Sequence, residues 1–164
     1  MDVCTMYDSV DVSKLPADAT AYAAYVNGDY ANHSEVKARF PKARVFGIDV
    51  LGTDWQDASI LDYEPGNPCY TTDRLIEFAC GREDFRPHTT CIYCNRADLP
   101  TVEDTLTETW HVIFLATLDG TKMTGTRTPS GNLIVATQYE SGTITGYDTS
   151  EVLTSWVTGP APWV

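Results

Sequence analysis

The sequence predicts an α/β fold: a compact (β/α)8 barrel of the TIM type with reduced or missing helices, especially in its C-terminal third. Eight short apolar runs of strand length follow one another, each ending in polar residues. Helix-like segments separate several of them, as in parallel strands joined by crossover connections. The chain has only 164 residues, whereas such barrels typically have roughly 250. Several helices must therefore be short or absent, and an open doubly wound sheet is the alternative.

The predicted strands are taken in chain order. They are residues 3–7, 21–26, 43–50, 59–63, 89–94, 110–118, 133–139 and, weakly, 143–147. Turn-forming residues follow several of these runs, and Asp119-Gly120 after the sixth is one of the clearer turn signals. The last run closes on Asp148.

Three segments have helical patterns, and each has its own end signal. They are residues 33–40, 71–80 and 99–107. In the first, Val36 and Phe40 share one face and Pro41 ends the helix. Gly81 is a typical stop for the second, and Pro100 suits the first turn of the third.

Composition places the chain among folded domains and excludes several partners. Apolar residues make up 43% and charged residues 21%, which argues against disorder. The net charge of −12 and a sequence pI near 4.4 argue against binding to nucleic acid or to an anionic membrane surface. We expect one barrel domain over residues 1–150 and a C-terminal tail, residues 151–164, that packs on the barrel or on a partner through Trp156 or Trp163.

The chain shows no targeting segment and no pattern for a metal or cofactor. Its first eight residues lack the basic and apolar regions of a signal peptide, so we expect synthesis in the cytoplasm without export by the general route. No apolar run approaches the ~20 residues that cross a bilayer. The odd number of cysteines predicts free thiols, and Cys91 and Cys94 have CxxC spacing but no second ligand pair.

Polar side chains gather at the ends of the predicted strands. They are Asp8, Asn27, Asp49, Asp62 with Glu64, Asn95, Gln138 and Asp148. In a barrel of this type, the chemistry lies at the carboxyl ends of the strands. Each residue alone has the ordinary alternative of starting a turn or capping a helix, but the whole set indicates an acidic site.

The sharpest feature is the pair Asp62 and Glu64 at the end of the fourth strand. Alternate residues of a strand point to the same side, so the two carboxyl groups face the same way, with Cα atoms about 6–7 Å apart. Two carboxyls this close oppose each other's ionisation, and one tends to keep its proton near neutral pH. Glycoside hydrolysis uses such a pair.

Four segments together resemble glycoside hydrolase family 25 lysozymes and the related glycoside-hydrolase-like barrels of actinobacteria and their phages. They are Met6-Tyr7-Asp8-Ser9, Ala24-Tyr25-Val26-Asn27-Gly28, Leu61-Asp62-Tyr63-Glu64, and Ala136-Thr137-Gln138-Tyr139 followed by Asp148. The resemblance implies a muramidase acting on peptidoglycan, with Glu64 as general acid and Asp62 stabilising the developing positive charge or positioning the substrate.

The resemblance also implies roles for the residues around that pair. Asp8 and Asp148 would complete an acidic floor, with Asp49 as another candidate acidic partner. Aromatic side chains would stack on sugars, and amides would bind hydroxyl or acetamido groups. The tyrosines are Tyr25, Tyr93 and Tyr139, and the amides are Asn27, Asn95 and Gln138.

The short chain keeps a second function open. A barrel with trimmed helices suits a catalytically inactive module of a phage virion, in a tail or capsid, that binds other virion proteins, a host surface or its own copies. We would then expect the protein to be incorporated in a virion or to be released at lysis. A hydrolase using Ca²⁺ or Mg²⁺ is a weaker alternative, because none of the three histidines ends a predicted strand.

Overall fold

Eight strands hydrogen-bond in chain order and close into one barrel in the computed structural model, which describes residues 1–159. The strands are β1 Val3–Asp8, β2 Ala21–Tyr25, β3 Arg44–Asp49, β4 Ile60–Asp62, β5 Cys91–Asn95, β6 Val112–Ala116, β7 Ile134–Glu140 and β8 Asp148–Leu153. The helices are α1 His33–Arg39, α2 Thr72–Phe85, α3 Leu99–Thr105 and α4 Thr154–Thr158. The predicted barrel is therefore confirmed, and the open doubly wound sheet is wrong.

One strand of the barrel runs opposite to the other seven. Each strand from β1 to β6 runs parallel to the next, whereas β8 runs antiparallel to both β7 and β1. A short loop is enough to join antiparallel neighbours, so β7 and β8 need no crossover helix. Within residues 1–159, no helix separates β6 from β7 either. The predicted loss of helices in the C-terminal third is confirmed and explains how the barrel fits in so short a chain.

The prediction for the eighth strand is wrong in position. Residues 143–147 form a turn-rich loop, and Ile144 there is almost fully exposed. Gly146 has a left-handed backbone, which a turn requires and a strand does not. The strand begins instead at Asp148. Asp148 is thus the first residue of a strand rather than the residue after one.

Helix α2 is longer than its glycine predicts. It continues through Gly81 to Phe85, because Gly81 is there for close packing rather than as a stop. A Cβ at this position would lie 2.8 Å from the indole ring of Trp55. Thr71 caps the start of the helix by accepting a hydrogen bond from the Arg74 backbone N–H. Pro87 follows the helix and cannot extend it.

The core lies inside the barrel and in two layers outside it. Inside, Met6, Ile60 and Phe114 are nearly or fully buried. Outside, helices α2 and α3 cover the strands from β4 to β7, and α1 covers β2, where Phe40 stacks on Tyr22 with ring centroids 4.2 Å apart. Covering the strands on both faces explains their continuous apolar runs.

The short helix α4 closes the end of the barrel at which β1 to β7 begin, which we call the base. Trp156 is 1% exposed and stacks on Phe46 of β3 with ring centroids 4.0 Å apart and planes within 8°. Residues 151–153, predicted as part of the tail, lie in β8. Residues 160–164, with Trp163, lie outside the described residues. None of the described helices is long and apolar enough to span a membrane.

Candidate active site

The opposite end of the barrel, which we call the mouth, holds a pocket of about 220 Å³ lined with carboxyl groups. The parallel strands end here, so their last inward-pointing side chains meet at one place. The polar lining residues are Asp8, Tyr25, Asp62, Glu64, Tyr93, Gln138 and Asp148. The structure therefore brings together seven of the residues predicted from the sequence, including all four predicted catalytic residues.

Asp148 reaches the mouth because β8 is reversed. In the antiparallel register, Asp148 lies opposite Asp8, and the pairing continues to Val3 and Leu153 at the base. The first residue of β8 therefore occupies the level at which β1 ends. Asp148 accepts a hydrogen bond from the Gly142 backbone N–H and is also hydrogen-bonded by Gln138. These contacts fix its carboxyl group beside the pocket.

Burial and mutual repulsion raise the pKa values of the acidic group. Burial raises the pKa of Asp8 well above its ordinary value, and the charges of Asp148, Asp62 and Glu64 raise it further. Burial, followed by the charge of Glu64, raises the pKa of Asp62 to about 7. Burial raises the pKa of Asp148 too, although its hydrogen bonds oppose this effect.

Asp62 and Glu64 differ in their surroundings. Burial raises the pKa of Glu64, but hydrogen bonds from Tyr93 and Asp62 oppose the rise because they favour the ionised carboxylate. Asp62 is only 8% exposed, and its Oδ1 atom is buried with no hydrogen-bond partner among the described residues. Because the two carboxyls line the same pocket and Asp62 donates a hydrogen bond to Glu64, the ionisation of one affects the pKa of the other. Glu64 is the more exposed of the two.

Aromatic and apolar side chains form the rest of the pocket lining. The ring of Tyr93 packs edge-on against Phe114, with centroids 4.9 Å apart. Burial raises the pKa of Tyr25 and of Tyr93, and the neighbouring carboxylates raise both further. Both phenols therefore stay neutral and keep their protons for hydrogen bonding. Ile48 and Ile60 form part of the apolar lining below them.

Asp49 lies outside the mouth pocket and organises a loop. It is fully buried, and its carboxylate accepts hydrogen bonds at 2.7–2.8 Å from Asn27 Nδ2 and from three backbone N–H groups. These groups belong to Leu51, Gly52 and Asp54. The predicted contact between Asp49 and the substrate is therefore absent from the mouth pocket. The carboxylate oxygens of Asp49 accept hydrogen bonds from the loop after β3 instead.

The other predicted binding residues divide between two places. Asn27 hydrogen-bonds to Asp49 and lines a groove beside the mouth. Asn95 and Tyr139 do not line the pocket: Asn95 hydrogen-bonds to Asp98 at the start of α3, and the ring of Tyr139 lies 4.3 Å from the Lys122 ammonium group. Asn95 thus acts as a local turn and cap residue, the ordinary alternative for an amide at a strand end.

A groove of about 520 Å³ adjoins the mouth and shares Tyr25, Asp62 and Glu64 with the pocket. Tyr30 lines it and is 62% exposed. Sequence reasoning missed Tyr30 because it lies in a polar loop rather than at a strand end. Gly28, two residues earlier in the same loop, has a left-handed backbone, and a Cβ there would lie 2.5 Å from Val50 Cγ2. Pocket and groove together form one continuous cleft.

Sequence reasoning also missed Leu118. It ends an apolar run, so the sequence predicts it as part of the sixth strand. In the structure it follows β6, lies 52% exposed and lines the mouth pocket. No sequence signal distinguishes it from a core leucine, apart from the turn residues Asp119 and Gly120 that follow.

Comparison with known proteins shows the fold and no family. No family model and no curated protein matches the chain. An uncharacterized protein of B. stearothermophilus is similar in structure, at 8% identity and a TM-score of 0.63, over 93% of this chain and 97% of that one. The muramidase from Trichobolus zukalii matches at 10% identity and a TM-score of 0.61, over 96% of this chain and 100% of that one.

A second muramidase is also similar. The enzyme from Acremonium alcalophilum matches at 12% identity and a TM-score of 0.52, over 86% of this chain and 82% of that one. At such low identities, these likenesses concern the fold alone. The chain therefore has the barrel fold found in these muramidases, a lysozyme-like fold.

Proposed function

We propose that the protein is a glycoside hydrolase of the muramidase type that cuts peptidoglycan, with Glu64 as general acid and Asp62 as its carboxylate partner. One observation carries the proposal: Asp62 and Glu64 line the same mouth pocket, where burial raises the pKa of both carboxyls, that of Asp62 to about 7. The lysozyme-like fold supports it.

The geometry suits the two tasks of glycoside hydrolysis. Glu64 is the more exposed of the pair, so it is the one that reaches the oxygen of the leaving sugar. It protonates that oxygen from the state in which Glu64, rather than Asp62, holds the proton of the pair. As the glycosidic bond breaks, positive charge develops on the sugar ring. Asp62 lines the same pocket and is ionised once the proton of the pair has left, so its carboxylate stabilises that charge.

The remaining residues of the mouth bind and orient the sugar. Asp8 and Asp148 add negative potential behind the ring, and their raised pKa values allow one of them to hold a proton and donate a hydrogen bond. Tyr25 and Tyr93 offer aromatic surface and neutral hydroxyl groups. The amide of Gln138 is anchored on Asp148, which orients it towards the pocket.

A matched pair of variants tests the proposal. Wild-type protein, Glu64→Gln and Glu108→Gln are incubated with purified bacterial peptidoglycan, and released reducing ends are measured. Glu108 is exposed in the loop after α3 and controls for the loss of one charge. We expect Glu64→Gln to lower kcat by about 100-fold or more, with no loss of thermal stability, and Glu108→Gln to behave as wild type. Equal activity of Glu64→Gln and wild type would contradict the role of Glu64.

The size of the mouth pocket, taken without the adjoining groove, favours a second candidate. Its volume of about 220 Å³ is below the roughly 300–1,000 Å³ of most small-molecule sites. A barrel that binds a host surface or other virion proteins without cutting glycan needs no larger pocket, so an inactive phage component is the alternative. Sedimentation of the wild-type protein with peptidoglycan and no release of reducing ends would favour this alternative.

A further inference from the structure

Two residues other than glycine have a left-handed backbone in the described part of the chain, namely His88 and Leu118. The φ angle of Leu118 is 54°. A side chain with a Cβ is disfavoured in this conformation, and Leu has no short polar group that would compensate by local hydrogen bonding. Such strain persists only where the surrounding structure imposes it, and it is concentrated at functional sites.

Hydrogen bonds to β7 impose this conformation. The backbone N–H groups of Thr117 and Leu118 both donate to the carbonyl oxygen of Gln138, at 2.9 and 3.3 Å. The N–H of Gly120 donates to the carbonyl oxygen of Tyr139 at 3.2 Å. The hydroxyl of Thr117 donates to the backbone carbonyl oxygen of Thr121 at 2.7 Å. The loop is thus pinned on the strand that supplies Gln138 to the mouth.

Packing in the folded protein does not offset the energetic cost of the left-handed backbone at Leu118. The Leu118 side chain is 52% exposed, and it belongs to none of the three apolar clusters formed by the described residues. It lies instead at the wall of the mouth pocket, together with Phe114 and the carboxyl groups of Asp62 and Glu64. A large apolar side chain is therefore held beside an acidic pocket at a cost to backbone energy.

We propose that Leu118 is a substrate-binding residue that determines which sugar the mouth accepts: its side chain packs against the C–H face of the pyranose ring bound over Asp62 and Glu64. This inference rests on the proposed function. A gluco-configured ring has its hydroxyl groups around its edge and C–H groups on both faces. The carboxyl and amide groups of the mouth take the edge, and Leu118 takes one face. Rings with an axial hydroxyl on that face are disfavoured.

Glycine at this position separates the contact from the strain. Leu118→Gly removes the side chain and relieves the backbone, because glycine adopts positive φ without steric cost. Leu118→Met keeps an apolar side chain on the strained backbone. His88→Gly is the control: His88 has φ 58° but precedes β5, so it lies towards the base of the barrel rather than at the mouth.

The variants are compared by thermal unfolding and by steady-state cleavage of soluble peptidoglycan fragments. For Leu118→Gly we expect an unchanged or higher Tm, KM raised roughly fivefold, as for the loss of part of a leucine contact, and little change in kcat. The methionine variant restores KM, and His88→Gly leaves it at the wild-type value.

Three results would overturn the inference. A wild-type KM in Leu118→Gly would show that the side chain does not touch the sugar. A Tm well below that of wild type would show that the side chain serves folding. A wild-type protein that neither binds nor cleaves peptidoglycan would overturn the proposed function as well, and only that result affects both.

Discussion

The base and the mouth of this barrel are built from the same strands but with opposite chemistry. At the base, Trp156 of α4 stacks on Phe46 and the interior is apolar. At the mouth, four carboxyl groups line the pocket, and their burial raises their pKa values. The packing at the base therefore stabilises the fold, whereas the buried acids at the mouth lower the free energy of unfolding near neutral pH.

The largest effect is expected at the base. Trp156→Ala removes the indole ring that closes the base and leaves a cavity against Phe46. The free energy of unfolding should therefore fall by about 3–5 kcal/mol. Urea unfolding followed by circular dichroism measures it. Val3→Ala, on a 43% exposed side chain at the same end, is the control and should cost less than about 1 kcal/mol. A similar small loss in Trp156→Ala would contradict the division between the two ends.

The mouth should make the protein less stable as the pH rises. The pKa of Asp62 is about 7 in the folded chain against 3.8 ordinarily, so between these values the folded state binds more protons than the unfolded state. Stability therefore falls through this pH window and is greatest below it. Asp62→Asn should flatten this dependence and raise stability at pH 8 by about 2–4 kcal/mol.

Urea midpoints at several pH values between 5 and 8 test this expectation. Asp104→Asn removes an exposed carboxylate of α3 that does not line the mouth pocket, and it should leave the pH dependence intact. Stability that increases with pH in the wild-type protein would show that the mouth is not under electrostatic stress.

Asp49 sharpens the comparison because it lies near the mouth yet serves the fold. Asp49→Ala leaves the backbone N–H groups of Leu51, Gly52 and Asp54 without their acceptor, which should cost about 2 kcal/mol. Thermal and urea unfolding measure the loss. Asp54→Ala, which removes only one bond to Asn27, should cost less. Greater stability in Asp49→Ala would place Asp49 with the strained acids of the mouth instead.

The smallest effect is expected in the groove. Tyr30 is 62% exposed, so Tyr30→Ala should leave the Tm unchanged. Loss of a stacking face should raise KM for peptidoglycan fragments by roughly threefold to fivefold, while Tyr30→Phe retains the wild-type KM. A KM unaffected by Tyr30→Ala would confine the binding site to the mouth pocket.

Much of the fold could be predicted because its signals are local. Parallel strands covered on both faces are continuous apolar runs, and seven of the eight are found where expected. Strand β8 is different because its inward positions carry Asp148 and Ser150. Its sequence is therefore too polar to resemble a strand. The alternating Thr143–Tyr147 region resembles one better but is a loop.

The site could be predicted only as far as strand ends identify it. Asp8, Asp62 and Glu64 meet because a barrel brings the carboxyl ends of its parallel strands together. Asp148 joins them for a reason that the sequence does not reveal, because it begins the reversed strand β8. Asp49 also follows an apolar run, and nothing local distinguishes a carboxylate that faces the pocket from one that holds a loop. That distinction depends on which face of the strand is inside, and on the backbone N–H groups that the next loop presents.

The seam between β1 and β8 has a consequence for how the protein is made. Asp8 lies opposite Asp148, and Val3 opposite Leu153, so the acidic group is complete only when the first and last strands meet. Contacts between residues so distant in sequence form late and slowly in folding. A nascent chain that still lacks its final strand has no intact site. The seam thus ties the appearance of the site to the synthesis and docking of β8.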